Sequence, residues 1–255
     1  MLRENFASIG LEIFDDTTMM DPSGVSAPMK RFAEDAGAEL SPTIVFFGSG
    51  GDEILRVVGY RSPERFKAIL GYVTGRHYQN ESPNNYIVRR SEDTSKERPG
   101  AALKEDPLFG EPPYALDRSR FAASRPLLVI FENTGCKECA DFHAKVLAQT
   151  EVRHLLQRFE IMRLDAADHE TPVPAPDGRR VIPASWYRQA GLTHAPALML
   201  FDEEGNEVLK TDALVMGQRM TVSLLYVLEH AYEKDRSFQR FARPKAIERH
   251  QRRQG

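Results

Sequence analysis

Apolar and polar positions divide this chain into short segments of two kinds. Leu127 to Phe131 is an unbroken apolar run and predicts a buried strand; Cys136-Lys-Glu-Cys139 then opens a stretch with Phe142, Val146 and Leu147 at helical spacing. Val152, Leu155 and Leu156 predict a further short helix, and Phe159 to Asp165 a strand. A long Pro-rich loop, Asp168 to Pro183, leads to a helix from Ser185 that stops at Gly191. The strand Ala197 to Phe201, a turn at Glu203-Glu-Gly-Asn206, a strand from Val208 and a long helix through Leu224, Val227 and Tyr232 complete the pattern. The order β-α-β-α-β-β-α, parallel strands first and a hairpin last, predicts an α/β fold whose mixed central sheet carries helices on both faces.

The first eighty residues contain part of the same order. Phe6, Ile9, Leu11 and Ile13 suggest a strand, and Met29, Phe32, Ala33 and Ala36 form the stripe of a helix capped near Ser26 and stopped at Gly37. Thr43 to Phe47 and Ile54 to Val58, about the turn Gly48 to Asp52, form a hairpin signal. Ser62-Pro63-Glu64 opens a helix with Phe66, Ile69, Leu70 and Val73 on one face. One constant offset of 154 pairs Pro42 with Pro196, Phe32 with Trp186, Gly51 with Gly205, Glu53 with Glu207, Leu70 with Leu224 and Tyr78 with Tyr232, which reads as an internal repeat. The organisation expected is an incomplete unit at 1–80, a polar linker at 81–106, a complete unit at 107–235 and a basic tail at 236–255. The first unit starts in mid-domain, so either the second unit shields its sheet or the natural beginning lies upstream of Met1, and the upstream start is the expectation.

Composition narrows the chemistry. At 255 residues, 41% hydrophobic and 28% charged, the chain is ordinary globular material, and a net charge of -3 gives no reason to expect nucleic acid or a membrane surface as partner. The tail, with Arg236, Arg240, Arg243, Lys245, Arg249, Arg252 and Arg253, reads as a solvated helix end or a docking segment for an acidic partner. No run approaches membrane-spanning length, and the N-terminus has no apolar signal region. The compartment expected is the periplasm if the natural start lies upstream and the cytoplasm otherwise. Both cysteines of the protein lie in the one Cys-x-x-Cys, too few for a disulfide scaffold and suited to redox catalysis or metal binding. At a helix start the pair can close a small disulfide, and the helix terminus favours the first thiolate.

A strand, Cys136-Lys-Glu-Cys139 at a helix start, and Ala195-Pro196 before a closing hairpin together resemble the thioredoxin fold, complete over about residues 120 to 235 and as a back half over 1–80. Gly59-Tyr60, Tyr72-Val73 and the segment Ser237 to Arg243 resemble SoxW-type thioredoxin-like proteins. The resemblance implies thiol-disulfide exchange, with Pro196 as a cis-proline holding the Ala195 backbone toward a bound substrate strand. It also implies a disulfide-containing protein substrate and an upstream thiol electron donor; no cofactor is expected. Three features depart from the family: Gly135 in place of Trp before the first cysteine, Lys137-Glu138 in place of Gly-Pro, and Ile130 where the family has a buried acid.

On this reading Cys136 attacks and Cys139 resolves the mixed disulfide. Lys137 favours the Cys136 thiolate, while Glu132 and Glu138 oppose it. Glu132, two residues beyond Ile130 on the same strand face, is either a substitute proton acceptor or a charged residue at a strand end. His143 is expected on the solvated surface, with a zinc or copper site through Cys136, Cys139 and His143 as an alternative. A non-catalytic binding module is the other rival class, and the acid between the cysteines leans the chemistry towards reduction.

Overall fold

In a computed structural model, which describes residues 2–36, 38, 42–61, 63–92, 105–213, 215–234 and 237–245, the chain forms two units, Met1–Glu97 and Arg98–Gly255. The first begins with a short helix α1 (Leu2–Asn5) and a small antiparallel hairpin, β1 (Thr18–Met20) with β2 (Ser26–Pro28). Helix α2 (Met29–Asp35), the hairpin β3 (Thr43–Phe47) and β4 (Glu53–Val58), and α3 (Pro63–Thr74) follow. Phe46 and Val57 of the hairpin pack on Ile69, Leu70, Tyr72 and Val73 of α3 to form this unit's core.

Two expectations for this unit are corrected. Residues 6–14 form no strand, and no strand among the described residues pairs with them; Phe6 instead packs its ring on Phe46 of β3 at 5.6 Å. Part of the expected linker is a helix, α4 (Pro83–Glu92). Its start is written in Ser82-Pro83: the Ser82 hydroxyl accepts from the Asn85 N–H at 3.2 Å, and proline suits a first helical turn. Tyr86 then buries against Tyr72, ring centroids 5.5 Å apart, and His77, 4.5 Å. Residues 93–104 of that linker, like Gly37, lie outside the described residues.

The second unit is built on β5 (Leu127–Glu132), buried at every position. Helix α5 (Lys137–Phe142) runs into a π turn, His143–Leu147, and α6 (Thr150–Leu156) leads to β6 (Glu160–Asp165), parallel to β5. A small hairpin, β7 (Val173–Pro174) and β8 (Arg180–Val181), precedes α7 (Pro183–Gln189). Strands β9 (Ala197–Phe201) and β10 (Glu207–Thr211) and helix α8 (Gly217–Leu228) close the unit. The sheet order is β10-β9-β5-β6, with β9 antiparallel to β5, so the sheet is mixed as the pattern predicts. Leu127, Val129 and Phe131 face Tyr187 and Leu192 on one side. Leu128, Ile130 and Glu132 alternate to the other side, where the π turn, α6 and α8 pack together.

Phe121 and its neighbours form bends and not a helix, and residues 112–118, a pattern that suits a short edge strand or a turn, form a bend at 112–113 and then irregular chain. The Gly110 N–H instead donates to the Ile161 carbonyl of β6 at 2.8 Å, so the chain covers the outer strand at one point. Where it is described the tail is helical over residues 238–245, with Arg240 and Arg243 exposed as expected of a solvated helix end and Phe238 and Phe241 buried against Tyr226, each 5.4 Å away.

The offset of 154 extends from single residues to whole elements. It carries α2 onto α7, β3 onto β9 and α3 onto α8 with both ends matched, and β4 onto β10 at its start. It carries the β1–β2 pairs Met19 with Ala27 and Met20 with Ser26 onto the β7–β8 pairs Val173 with Val181 and Pro174 with Arg180. Positive φ recurs at the matched positions Gly51 and Gly205 (86° and 87°) and Arg76 and His230 (53° and 47°).

Candidate redox site

Cys136 and Cys139 form a disulfide with Cα atoms 5.2 Å apart. The strand β5 ends at Glu132, and a turn closed by the Cys136 N–H donating to the Asn133 carbonyl at 3.1 Å delivers Cys136 to the N-cap of α5. Gly135, φ 73°, makes that turn in a left-handed conformation that a Trp would reach only at a cost of about 1–2 kcal/mol. The Cys139 N–H donates to the Cys136 sulfur at 3.0 Å. Cys136 is partly exposed and Cys139 is 4% exposed, so the first sulfur is the one an incoming molecule reaches.

Ala195 and Pro196 are joined by a cis peptide, and the Ala195 carbonyl oxygen lies 3.6 Å from the Cys136 sulfur. The loop that brings it there is held by Asp212, just past β10. One carboxylate oxygen accepts from the Thr193 N–H at 2.8 Å and from its hydroxyl at 2.7 Å. With Asp212 ionised, that hydroxyl has no second hydrogen, so at 2.7 Å it accepts from His194 Nδ1 and fixes that tautomer. The sequence reading names Ala195 and Pro196 but not this clamp; Asp212 lies 16 positions beyond Pro196, and no local pattern links them.

Glu132 sits two residues beyond Ile130 on the same face and is 1% exposed. Its partner corrects an expectation: His143 is 4% exposed, not solvated, and its Nε2 lies 2.8 and 3.1 Å from the two Glu132 oxygens. The helical register explains the burial. Cys139, Phe142, His143 and Val146 occupy one arc and all are buried, and the Phe109 ring closes over the imidazole edge-on at 5.6 Å. That spacing was visible in the sequence, and the polar residue type outweighed it.

With Nε2 directed at Glu132, His143 does not join the sulfurs in a metal site; among the described residues no group of three or more His, Cys, Asp or Glu is placed to hold an ion. Lys137 pairs with Asp141 at 2.9 Å, and Lys145 reaches the same carboxylate at 3.1 Å. Those two lysines hold the Asp141 carboxyl below the ordinary carboxylate range, and the support expected from Lys137 for the Cys136 thiolate is shared with that acid. In the first unit an open cleft of about 610 Å³ is lined by Asp21, Arg31, Phe32, Asp35, Phe47 and Glu53. It holds neither cysteine, its two arginines are paired with lining acids, Arg31 with Asp35 at 3.7 Å and Arg56 with Glu53 at 2.6 Å, and Asp21 accepts from the Ser23 hydroxyl at 2.7 Å.

The family model described as a thioredoxin-like domain matches residues 1–74 and 116–228, two segments that end at the matched positions Thr74 and Leu228. No curated protein matches the chain. Among solved structures, a thioredoxin-fold protein from Helicobacter pylori is 14% identical over 55% of this chain and 92% of its own, with a TM-score of 0.44. A thioredoxin from Thermus thermophilus is 18% identical over 41% of this chain and 74% of its own, TM-score 0.34. A DsbH oxidoreductase is 19% identical over 56% and 98%, TM-score 0.35. The family match covers more than half of the residues, and the chain belongs to the thioredoxin-like domain family.

Proposed function

We propose that the protein is a thiol-disulfide oxidoreductase that reduces disulfides of protein substrates through Cys136 and Cys139. One observation carries this reading: the two sulfurs close a disulfide at the start of α5, the outer one beside the Ala195 carbonyl and the inner one buried. In the reducing direction the Cys136 thiolate attacks a substrate disulfide and releases one substrate thiolate. Cys139 then loses its proton and attacks the Cys136 sulfur, which breaks the mixed disulfide and releases the second substrate thiolate. The dithiol is oxidised and the substrate reduced, and an upstream thiol donor restores the pair. Glu132 is the proton acceptor for Cys139 in this scheme. The Ala195 backbone and Pro196 receive the substrate as an added strand.

Residues 1–80 are then a duplicated thioredoxin-like unit without a dithiol, and the whole resembles SoxW-type proteins. The shared offset of element ends supports the duplication. Insulin-disulfide reduction tests the function. Wild-type protein should be active, Cys136→Ser inactive, and Cys139→Ser should accumulate a mixed disulfide with its substrate. Activity that survives Cys136→Ser would overturn the mechanism and leave a binding module.

A further inference from the structure

The His143 imidazole is a buried titratable group that the exchange scheme does not use. His143 stands four residues after Cys139, and its backbone N–H donates to the Cys139 carbonyl, so the two side chains are neighbours on one helical face. Glu132 stands four residues before Cys136. The 2.8 Å contact between Glu132 and His143 therefore ties the end of β5 to the helix across the base of the turn that carries both sulfurs.

The protonation follows from geometry. An ionised Glu132 only accepts, so Nε2 carries the hydrogen between them and Nδ1 is left as the ring's acceptor. Nδ1 is buried and has no hydrogen-bond partner among the described residues. A buried ring nitrogen with no partner calls for an explanation, and a lone pair kept open to receive a proton during turnover supplies one. The turn beginning at His143 has π geometry, a rarity that recurs at functional sites. Among the described residues, the ionisable groups near the pair include Cys139 of α5, Asp165, the β6 register partner of Glu132, and Asp106, held by Arg153 of α6 at 2.9 and 3.1 Å. Phe109 and Phe142 supply apolar walls.

We propose that His143 is a positioning residue of the redox site, holding Glu132 where it takes the Cys139 proton and sharing that proton with it. This rests on the oxidoreductase reading. As the Cys139 sulfur bonds to the Cys136 sulfur, its proton passes to the Glu132–His143 pair, and the electron pair of the broken bond leaves on the substrate sulfur. Reduction of the disulfide reverses the transfer. The pair therefore holds one proton more when the cysteines are oxidised than when they are reduced.

The test is the pH dependence of the Cys136–Cys139 midpoint potential in the full-length protein, equilibrated with a dithiol buffer across about pH 5 to 9. His143→Gln keeps an N–H for Glu132 but cannot take up a proton. It should change the shape of that dependence and slow resolution of the mixed disulfide by about tenfold or more. A His143→Gln profile that superimposes on the wild type overturns the proposal. Should that variant fail to fold, the imidazole resonances of wild-type protein decide: the His143 titration should differ between oxidised and reduced forms, and identical curves overturn the proposal. Neither the midpoint potential nor the imidazole titration needs a substrate. A wild type inactive on insulin would reject the oxidoreductase reading while leaving both results interpretable.

Discussion

Single residues decide whether the outer sulfur meets a backbone acceptor. Asp212 does most of this from outside the motif, because it satisfies both Thr193 donors and so sets the loop that ends in Pro196. Asp212→Ala leaves a partly buried N–H and hydroxyl without their acceptor, and should lower unfolding free energy by about 1–3 kcal/mol in urea titrations. An unchanged midpoint would show that water replaces the carboxylate. At this scale the sequence was most legible where chemistry is local. Cys136 and Cys139 announce themselves by spacing, whereas Glu132 and His143 meet only after a strand and a helix have folded together. A histidine among Cys139, Phe142 and Val146 lies on a buried arc, and reading its residue type before its position put it in solvent.

At the scale of elements, β5 is the member on which the second unit depends, since it bonds to β6 and β9 and buries side chains on both faces. Ile130→Ala should cost about 2–5 kcal/mol, because 0% exposure leaves no room for solvent to fill the cavity. Denaturant unfolding followed by circular dichroism measures it. The segment before β5 is secured differently. The hydrogen bonds from Arg153 hold the Asp106 carboxyl below its ordinary range. A depressed folded value means that this stabilisation is complete above about pH 4, the unfolded carboxylate range, and is lost as pH falls through the folded value. The pair is partly exposed, so Asp106→Asn should cost under about 1 kcal/mol near neutrality and flatten the acid limb of the stability curve. Strong apolar periodicity made β5, β9, α3 and α8 readable. Helix α4 and the helix at 238–245 were obscured because charged residues fill their exposed faces while few aromatics make the contact.

For the whole molecule, the informative quantity is the constancy of one spacing. Gly51 and Gly205 hold the same left-handed turn after matched strands, and a Cβ at either would approach a matched proline carbonyl, Pro22 at 2.6 Å and Pro176 at 3.2 Å. Alanine at either position should destabilise its own unit by about 1–3 kcal/mol, more at Gly51, as resolved by hydrogen exchange in each unit. Matched hairpins, turns and helices leave no room for a slipped register between residues 18 and 74 and their counterparts. Loops ordinarily gain and lose residues freely. Here the stretches joining the elements keep the same length in a unit with a dithiol and a unit without one. Chain length between these elements is therefore dictated by how they pack and not by the chemistry one of them carries, so a residue inserted into the Glu203–Asn206 turn should harm folding before it harms exchange.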